Sequence, residues 1–129
     1  MKIKLNSIFV DNQDKALVFY TEVLGFIKRN EISAGKFKWL TVVSPDGPDD
    51  VDVELVLEPN VNPVAKTYQE AIFRQGIPIT AFEVEDIHAE FERLKGRGVI
   101  FTVEPTQTGP VTIAIFSDTC GNLIQLYQV

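Results

Sequence analysis

The stretch VDNQDKALVFYTEVLGF, residues 10–26, joins the end of a strand to an amphipathic helix. Residues 3–10 before it alternate between apolar and polar side chains, which is the period of a strand. Asp11 to Asp14 supply the side-chain oxygens that cap a helix N-terminus, and Gly25 ends the helix. The apolar residues at helical spacing are Ala16, Leu17, Phe19, Tyr20, Val23 and Leu24.

The second half of the chain repeats this arrangement about 74 residues later. Residues 79–84 alternate like a strand, Glu85 and Asp86 supply a helix start, and Gly98 takes the place of Gly25. A repeat this long excludes a stacked solenoid and favours two similar modules. The second helix is predicted from Ile87, Phe91 and Leu94, and further strands near residues 99–103, 111–117 and 123–128.

The rest of the first half predicts a hairpin, because strand-like residues 37–44 and 52–58 flank a turn rich in Pro, Gly and Asp. A short amphipathic helix ending near Gly76 then separates the halves. We therefore predict one α+β domain, residues 1–129. It comprises module one at about 1–58, a connecting helix at about 63–75 and module two at about 76–129. These tandem βαβββ modules should form a cupped mixed β-sheet with the helices outside and a ligand cleft within.

Composition excludes several classes of function. The chain has 129 residues, 45% of them apolar and 23% charged, so it should fold throughout. Its net charge of −6, without a basic cluster, argues against a nucleic-acid partner. No apolar run approaches the length of a membrane span and no signal sequence is evident, so we expect no membrane partner and a cytoplasmic location. The single cysteine, Cys120, agrees with a reducing compartment.

The chain resembles the glyoxalase, bleomycin resistance and extradiol dioxygenase superfamily, also called vicinal oxygen chelate. The resemblance covers nearly the full chain and rests on residues 10–20, on VLGF at 23–26, on residues 76–84 and on DTCGNLIQL at 118–126. It implies the tandem fold and a homodimer, since members of the family often assemble through sheet edges or exchanged modules. It does not fix the reaction, because one fold hosts many functions.

The resemblance also places four metal-ligand positions on facing strands, at Leu5, Glu54, Ile79 and Gln125. Leu5 and Ile79 have no donor atom, and Gln125 offers only a neutral carbonyl oxygen. Glu54 alone is a good ligand for a divalent metal. We therefore predict no cofactor, with a divalent metal at Glu54 as the alternative.

Strand alternation indicates which side chains face the cleft, independently of the family. Val53, Leu55 and Leu57 form an apolar face that suits packing under a helix, which turns Glu54 the other way. A desolvated Glu54 must find donors, such as the Gln125 amide, the Tyr127 hydroxyl or Ser7, or shift toward its protonated form. The predicted ligand-binding residues are Leu5, Ser7, Phe9, Trp39, Glu54, Ile79, Gln125 and Tyr127.

These residues also have simpler interpretations. Glu54 could lie on a solvated face, Trp39 could belong to the core, and Gln125 could bond only to Tyr127 or to backbone. We interpret Cys120 as unreactive and His88 as a surface residue of a helix. The acidic stretch 46–52 lacks a calcium-loop pattern and is interpreted as a solvated turn.

Three function classes follow from the sequence. The first, which we favour, is a small-molecule binder without the metal, comparable to the drug-sequestering members of the superfamily; an acid-rich surface suits a cationic or hydrogen-bonding ligand. The second is a metal-dependent lyase, isomerase or dioxygenase, which requires ligands that the chain lacks. The third is a partner-binding module with a vestigial cavity. The catalytic residues of an enzyme are not identified by the sequence.

Overall fold

The computed structural model describes residues 1–45 and 53–129. The chain divides into two compact units, Met1–Lys66 and Thr67–Val129. The predicted acidic turn 46–52, which includes the first residue of the predicted strand 52–58, lies outside the described residues. Among the helices that the structure describes, none is long and apolar enough to cross a membrane.

The first unit contains a four-stranded mixed sheet. Its elements are β1 (Leu5–Val10), α1 (Gln13–Val18), a π-helical turn (Phe19–Val23), β2 (Ile27–Ala34), β3 (Phe37–Val43) and β4 (Glu54–Pro59). The strand order is β1-β4-β3-β2, with β1 parallel to β4 and the other pairs antiparallel. The predicted pairing of the strands on either side of the acidic stretch is thus confirmed.

The second unit repeats this topology. Its elements are β5 (Thr80–Glu83), α3 (Ile87–Gly96), β6 (Phe101–Thr108), β7 (Val111–Ser117) and β8 (Leu123–Gln128). The order is β5-β8-β7-β6, and β5 pairs in parallel with β8. The helix α2 (Pro63–Arg74) precedes β5 and crosses the boundary between the units. The α+β fold with tandem βαβββ modules is therefore confirmed.

Two local features differ from the prediction. The helix predicted up to Leu24 is α-helical only to Val18 and continues as the π-helical turn. The Thr21 hydroxyl donates to the Leu17 carbonyl oxygen at 2.6 Å, a side-chain bond to the preceding turn of the kind that bends helices. The strand β2 was not predicted, because most of its residues are exposed and its side chains show no apolar alternation.

A buried glutamine fastens α1 to the first sheet. Gln13 Nε2 donates to the carbonyl oxygens of Lys38, at 2.8 Å, and Leu57, at 2.9 Å. The Lys38 backbone N–H donates back to Gln13 Oε1 at 3.0 Å. This side-chain amide satisfies backbone groups of both β3 and β4, so it holds the two strands at a fixed distance from the helix. The apolar core on this side is Ile8, Val10, Ala16, Tyr20, Leu40, Val42 and Leu57.

A tight turn connects β7 to β8 and is built around a fully buried carboxylate. Asp118 Oδ1 accepts from the backbone N–H groups of Cys120, at 2.7 Å, and Asn122, at 3.0 Å. Asp118 Oδ2 accepts from Asn122 Nδ2 at 2.8 Å, and Gln69 Nε2 of α2 donates to Asn122 Oδ1 at 3.0 Å. The turn therefore fixes where β8 begins and ties it to α2 within the second unit.

Gly121 in this turn leaves no space for a side chain. Its φ of +99° is unfavourable for other residues, and an added Cβ would lie 2.8 Å from Gln69 Nε2. We expect Gly121→Ala to lower the free energy of unfolding by about 2–5 kcal/mol, from backbone strain and overpacking together. Gly25→Ala is the control, because its φ of +94° gives similar strain without a nearby atom. Equal losses in chemical denaturation of the two variants would contradict the steric account.

Candidate functional site

The first sheet has one face toward α1 and one face away from it. We call the face away from α1 the first open face. Alternation and register assign its side chains unambiguously, because Ile8, Leu40 and Leu57 are buried on the side of α1. The first open face carries Leu5, Ser7 and Phe9 of β1, Glu54, Val56 and Glu58 of β4, Phe37, Trp39, Thr41 and Val43 of β3, and Ile27, Asn30, Ile32 and Ala34 of β2. Five of the predicted site residues thus share one face: Leu5, Ser7, Phe9, Trp39 and Glu54.

Glu54 is the polar centre of this face. The residue as a whole is only 9% exposed. Thr41 Oγ1 donates to Glu54 Oε1 at 2.7 Å, and Asn30 Nδ2 donates to the same oxygen at 2.9 Å. Asn30 Nδ2 also donates to Thr41 Oγ1 at 3.1 Å, so the three side chains form a closed hydrogen-bonded triangle. The desolvated carboxylate therefore finds its donors on β2 and β3.

These donors are not the ones expected from the sequence. Ser7 donates instead to Glu58 Oε1, at 3.4 Å. Thr41 could have been recognised as the one polar side chain in the run LTVV, at strand parity with Trp39. Asn30 could not, because β2 itself was not predicted.

The second carboxylate oxygen of Glu54 is different from the first. Glu54 Oε2 accepts no hydrogen bond from the residues that the structure describes, whereas Oε1 accepts two. Among those residues, every buried side-chain oxygen or nitrogen has a hydrogen-bond partner. Because Oε2 has none, it must be accessible. The side chain is thus held through one oxygen, while the other is accessible.

Apolar side chains share this face with the carboxylate. Leu5 lies directly beside Glu54 in the parallel pairing of β1 and β4 and is 49% exposed. Val56 is buried, and Trp39, which lies further along the face at the level of Glu58, is 37% exposed. A face with one accessible carboxylate oxygen and exposed leucine and tryptophan surface resembles the lining of a small-molecule site, where few polar groups orient a mainly apolar ligand.

A β-bulge explains how Asn30 reaches this face. The register of β2 against β3 shifts between Lys28, which pairs with Val42, and Asn30, which pairs with Thr41. Arg29 is the extra residue in the bulge. Bulges change the direction of side chains and are common beside functional sites. Here the bulge places an amide, rather than the Arg29 guanidinium, directly opposite Thr41.

The remaining predicted site residues lie in the second unit. Gln125 and Tyr127 alternate with buried Ile124 and Leu126, so both lie on the face of the second sheet opposite α3. Gln125 is half-buried and is flanked by Ala81 and Ile115 on the neighbouring strands. Within the described ranges, the Gln125 and Tyr127 side chains make no hydrogen bond to each other. That Glu54 and Gln125 line one cavity stays a prediction.

Three other residues singled out in the sequence have clear positions. Ile79 directly precedes β5 and donates its backbone N–H to the Leu123 carbonyl oxygen at 2.8 Å. Cys120 is fully buried in the turn before β8. His88 is exposed on α3, as expected.

The positions that bind metal in related enzymes do not suit a metal here. Leu5 and Ile79 contribute hydrocarbon only, and Gln125 contributes an amide. Among residues 1–45 and 53–129, no three His, Cys, Asp or Glu side chains group together to hold an ion. Divalent transition metals require several nitrogen, sulfur or carboxylate ligands, and of these four positions only Glu54 supplies one. The donor set therefore does not fit the family's metal.

A family model described as the Glyoxalase/Bleomycin resistance protein/Dioxygenase superfamily matches residues 2–126. The chain belongs to this superfamily, as its sequence motifs and its tandem modules both indicate. It is 59% identical over 128 residues to the uncharacterized protein YurT of Bacillus subtilis (strain 168), covering 99% of each chain.

Two solved structures share the fold along nearly the whole chain. UcmS2 is 34% identical with a TM-score of 0.82, covering 98% of this chain and 97% of its own. TnmS3, an antibiotic binding protein from Streptomyces sp. CB03234, is 28% identical with a TM-score of 0.73 and covers 99% and 95%. The homodimer and the cytoplasmic location expected from the sequence stay predictions.

Loss of the Thr41 hydroxyl should destabilise the protein through Glu54. Thr41 is fully buried, and valine in its place keeps the shape while leaving Oε1 with one donor. We expect Thr41→Val to lower the free energy of unfolding by about 1–3 kcal/mol. Thr41→Ser, which keeps the hydroxyl and loses one methyl group, should cost about 1 kcal/mol or less. If Thr41→Val costs the same in a Glu54→Leu background, the hydroxyl does not act through the carboxylate.

An ion-pair network lies on the α1 side of the first sheet, at its β2 edge. Glu31 accepts from Lys28 at 2.8 Å and from Lys38 at 2.8 Å, and Lys38 also donates to Asp14 at 2.8 Å. The hydrogen bonds from Lys28 and then Lys38 lower the pKa of Glu31 from 4.5 to about 2. The bonds to Asp14 and then Glu31 raise the pKa of Lys38. The network joins β2, β3 and α1.

This network should contribute a defined pH dependence to stability. Because the pKa of Glu31 is lowered on folding, its contribution is fully present above about pH 4.5 and is lost as the pH falls toward about 2. The difference in free energy of unfolding between wild type and Glu31→Gln should therefore shrink across this window. Urea denaturation at several pH values measures it, and a difference that is independent of pH would contradict the assigned pKa.

Proposed function

We propose that this protein binds a small organic molecule at the first open face, without the catalytic metal of its enzymatic relatives. The observation that carries the proposal is the state of Glu54, which is nine-tenths buried, anchored through Oε1, and without a hydrogen bond from any described residue at Oε2. Exposed apolar surface from Leu5 and Trp39 lies on the same face. A ligand that covers this surface and donates a hydrogen bond to Oε2 satisfies both requirements.

Two observations support binding rather than catalysis by a metal. TnmS3, which shares the fold along nearly the whole chain, is an antibiotic binding protein. The family's metal mechanism requires an ion that polarises a substrate oxygen, and the side chains at positions 5 and 79 have no atom with which to hold one. A metal-dependent lyase, isomerase or dioxygenase remains the second candidate for this superfamily, and a vestigial cavity in a partner-binding module the third.

A thermal-shift screen of small organic compounds tests the proposal directly. A ligand that binds only the folded state at one hundred times its Kd adds about 2.7 kcal/mol of stability, which raises the Tm by several degrees. We expect such compounds to quench the fluorescence of Trp39, the single tryptophan of the chain, which reports on the first open face.

Metal analysis of the purified protein is the second arm. We expect no stoichiometric divalent ion and no rise in Tm with Zn²⁺, Ni²⁺ or Mn²⁺. One tightly bound ion per chain, lost in Glu54→Gln, would favour the enzyme. Failure of a broad compound library to raise the Tm or to change Trp39 fluorescence would favour the partner-binding module.

A further inference from the structure

The first open face carries negative charge that no ion pair among the described residues compensates. The strand residues that pairing assigns to this face include two carboxylates, Glu54 and Glu58, and no Lys, Arg or His. Arg29, in the bulge, has no pairing partner, is exposed and forms no ion pair with a described residue. Lys28 alternates onto the opposite side of β2, next to Ile27. Glu54 forms no ion pair with any described residue, although it is only 9% exposed.

The β-bulge is the structural reason for this uncompensated charge. Lys28 pairs with Val42, so in an unbroken register residue 29 would pair with Thr41. That residue is Arg29, and its guanidinium would then lie beside Glu54 as an internal counter-ion. The bulge substitutes Asn30, whose neutral amide donates to Glu54 Oε1 at 2.9 Å without cancelling the charge. Arg29 is exposed.

We propose that the first open face selects ligands with an organic cation, an ammonium, amidinium or guanidinium group, and that Glu54 Oε2 receives this group. The inference rests on the proposed function and adds the chemical class of the ligand. A cation supplies both a donor for Oε2 and the missing positive charge, and hydrogen bonds between ionised groups are about twice as strong as neutral ones. A neutral donor supplies the hydrogen bond to Oε2 but not the positive charge.

Asn30 and Thr41 act as positioning residues in this site. Both donate to Oε1, so they restrain the rotation of the carboxylate while Oε2 accepts no hydrogen bond from a described residue. A carboxylate free to rotate could share both oxygens with solvent and would lose side-chain entropy on binding the cation. The triangle of hydrogen bonds restricts this motion before the ligand arrives.

Benzamidine and benzamide form a suitable pair of probes, since they share the same planar shape and differ in charge. Titration of each compound, followed by the NMR resonances of the Leu5, Thr41 and Glu54 backbone amides and of the Trp39 indole N–H, reports binding at the first open face. We expect wild type to bind benzamidine about ten- to a hundred-fold more tightly than benzamide, as one charge-assisted hydrogen bond contributes about 1.5–3 kcal/mol. Benzoate, an anion of the same shape, should not bind.

Two variants test the role of the charge. Glu54→Gln keeps the shape and should reduce benzamidine affinity to that of benzamide. Asn30→Arg returns a guanidinium to the position opposite Thr41, and it should abolish the preference for benzamidine while benzamide still binds. The matched controls are Glu22→Gln, at an exposed position in the π-helical turn, and Asn6→Arg, on the α1 side of β1; both should keep the preference.

Rescue separates positioning from general destabilisation. Thr41→Val should reduce the preference for benzamidine several-fold, and Thr41→Ser should restore it because the hydroxyl remains. Equal affinity of wild type for benzamidine and benzamide, both shifting the Leu5, Thr41 and Glu54 amides, would overturn the cation selectivity while leaving the proposed function in place. Absence of a shift of any of these resonances with either probe would also overturn it, and the compound library described above then tests the proposed function separately. A preference retained in Glu54→Gln would assign the selectivity to another group.

Discussion

A nearly buried carboxylate held by two neutral donors is the constraint on which the first unit depends. An ionised Glu54 on an apolar sheet face is costly unless it is hydrogen-bonded. Thr41 and Asn30 satisfy one oxygen, and they do so only if β2, β3 and β4 keep their observed register. A slip of any one of these strands by one residue would turn its own member of the triangle to the side of α1 and break the hydrogen bonds. The carboxylate therefore specifies the sheet as well as the site.

The rest of the first unit keeps this register in place. Gln13 bonds the backbones of β3 and β4 from the helix side, and the ion pairs of Lys38 join α1, β2 and β3. These contacts lie on the opposite face from Glu54, so the first open face is free of them. The helix side of the sheet thus carries the contacts to α1, and the other side carries the Glu54 triangle together with the exposed surfaces of Trp39 and Leu5.

Most of the fold could be predicted from the sequence, because hydrophobic period and capping residues are local signals. The strand before each helix, the caps at Asn12 and Asp86 and the repeated modules follow from them. The exposed β2 and the π-helical turn could not be predicted, since neither has an apolar period of its own. For the site, alternation alone placed Glu54 opposite the helix, and the resemblance drew attention to it.

The hydrogen-bond partners of Glu54 could not be predicted from the sequence, for a physical reason. Alternation assigns a side chain to a face only while the register is unbroken, and the bulge at Arg29 shifts it by one residue. Without the bulge, the sequence implies a guanidinium opposite Thr41 and a neutralised carboxylate. With it, the same residues yield an amide there and a charge that remains available. A single extra residue thus changes the ligand chemistry that the face favours.

The most direct test of this account is a crystal structure of the protein with benzamidine at a resolution that defines both carboxylate oxygens. We expect the amidinium to lie about 2.7–2.9 Å from Glu54 Oε2, with Oε1 still bonded to Thr41 and Asn30. An Oε2 that is paired with a basic side chain or a metal ion, or an amidinium bound elsewhere while Oε2 faces solvent, would contradict it.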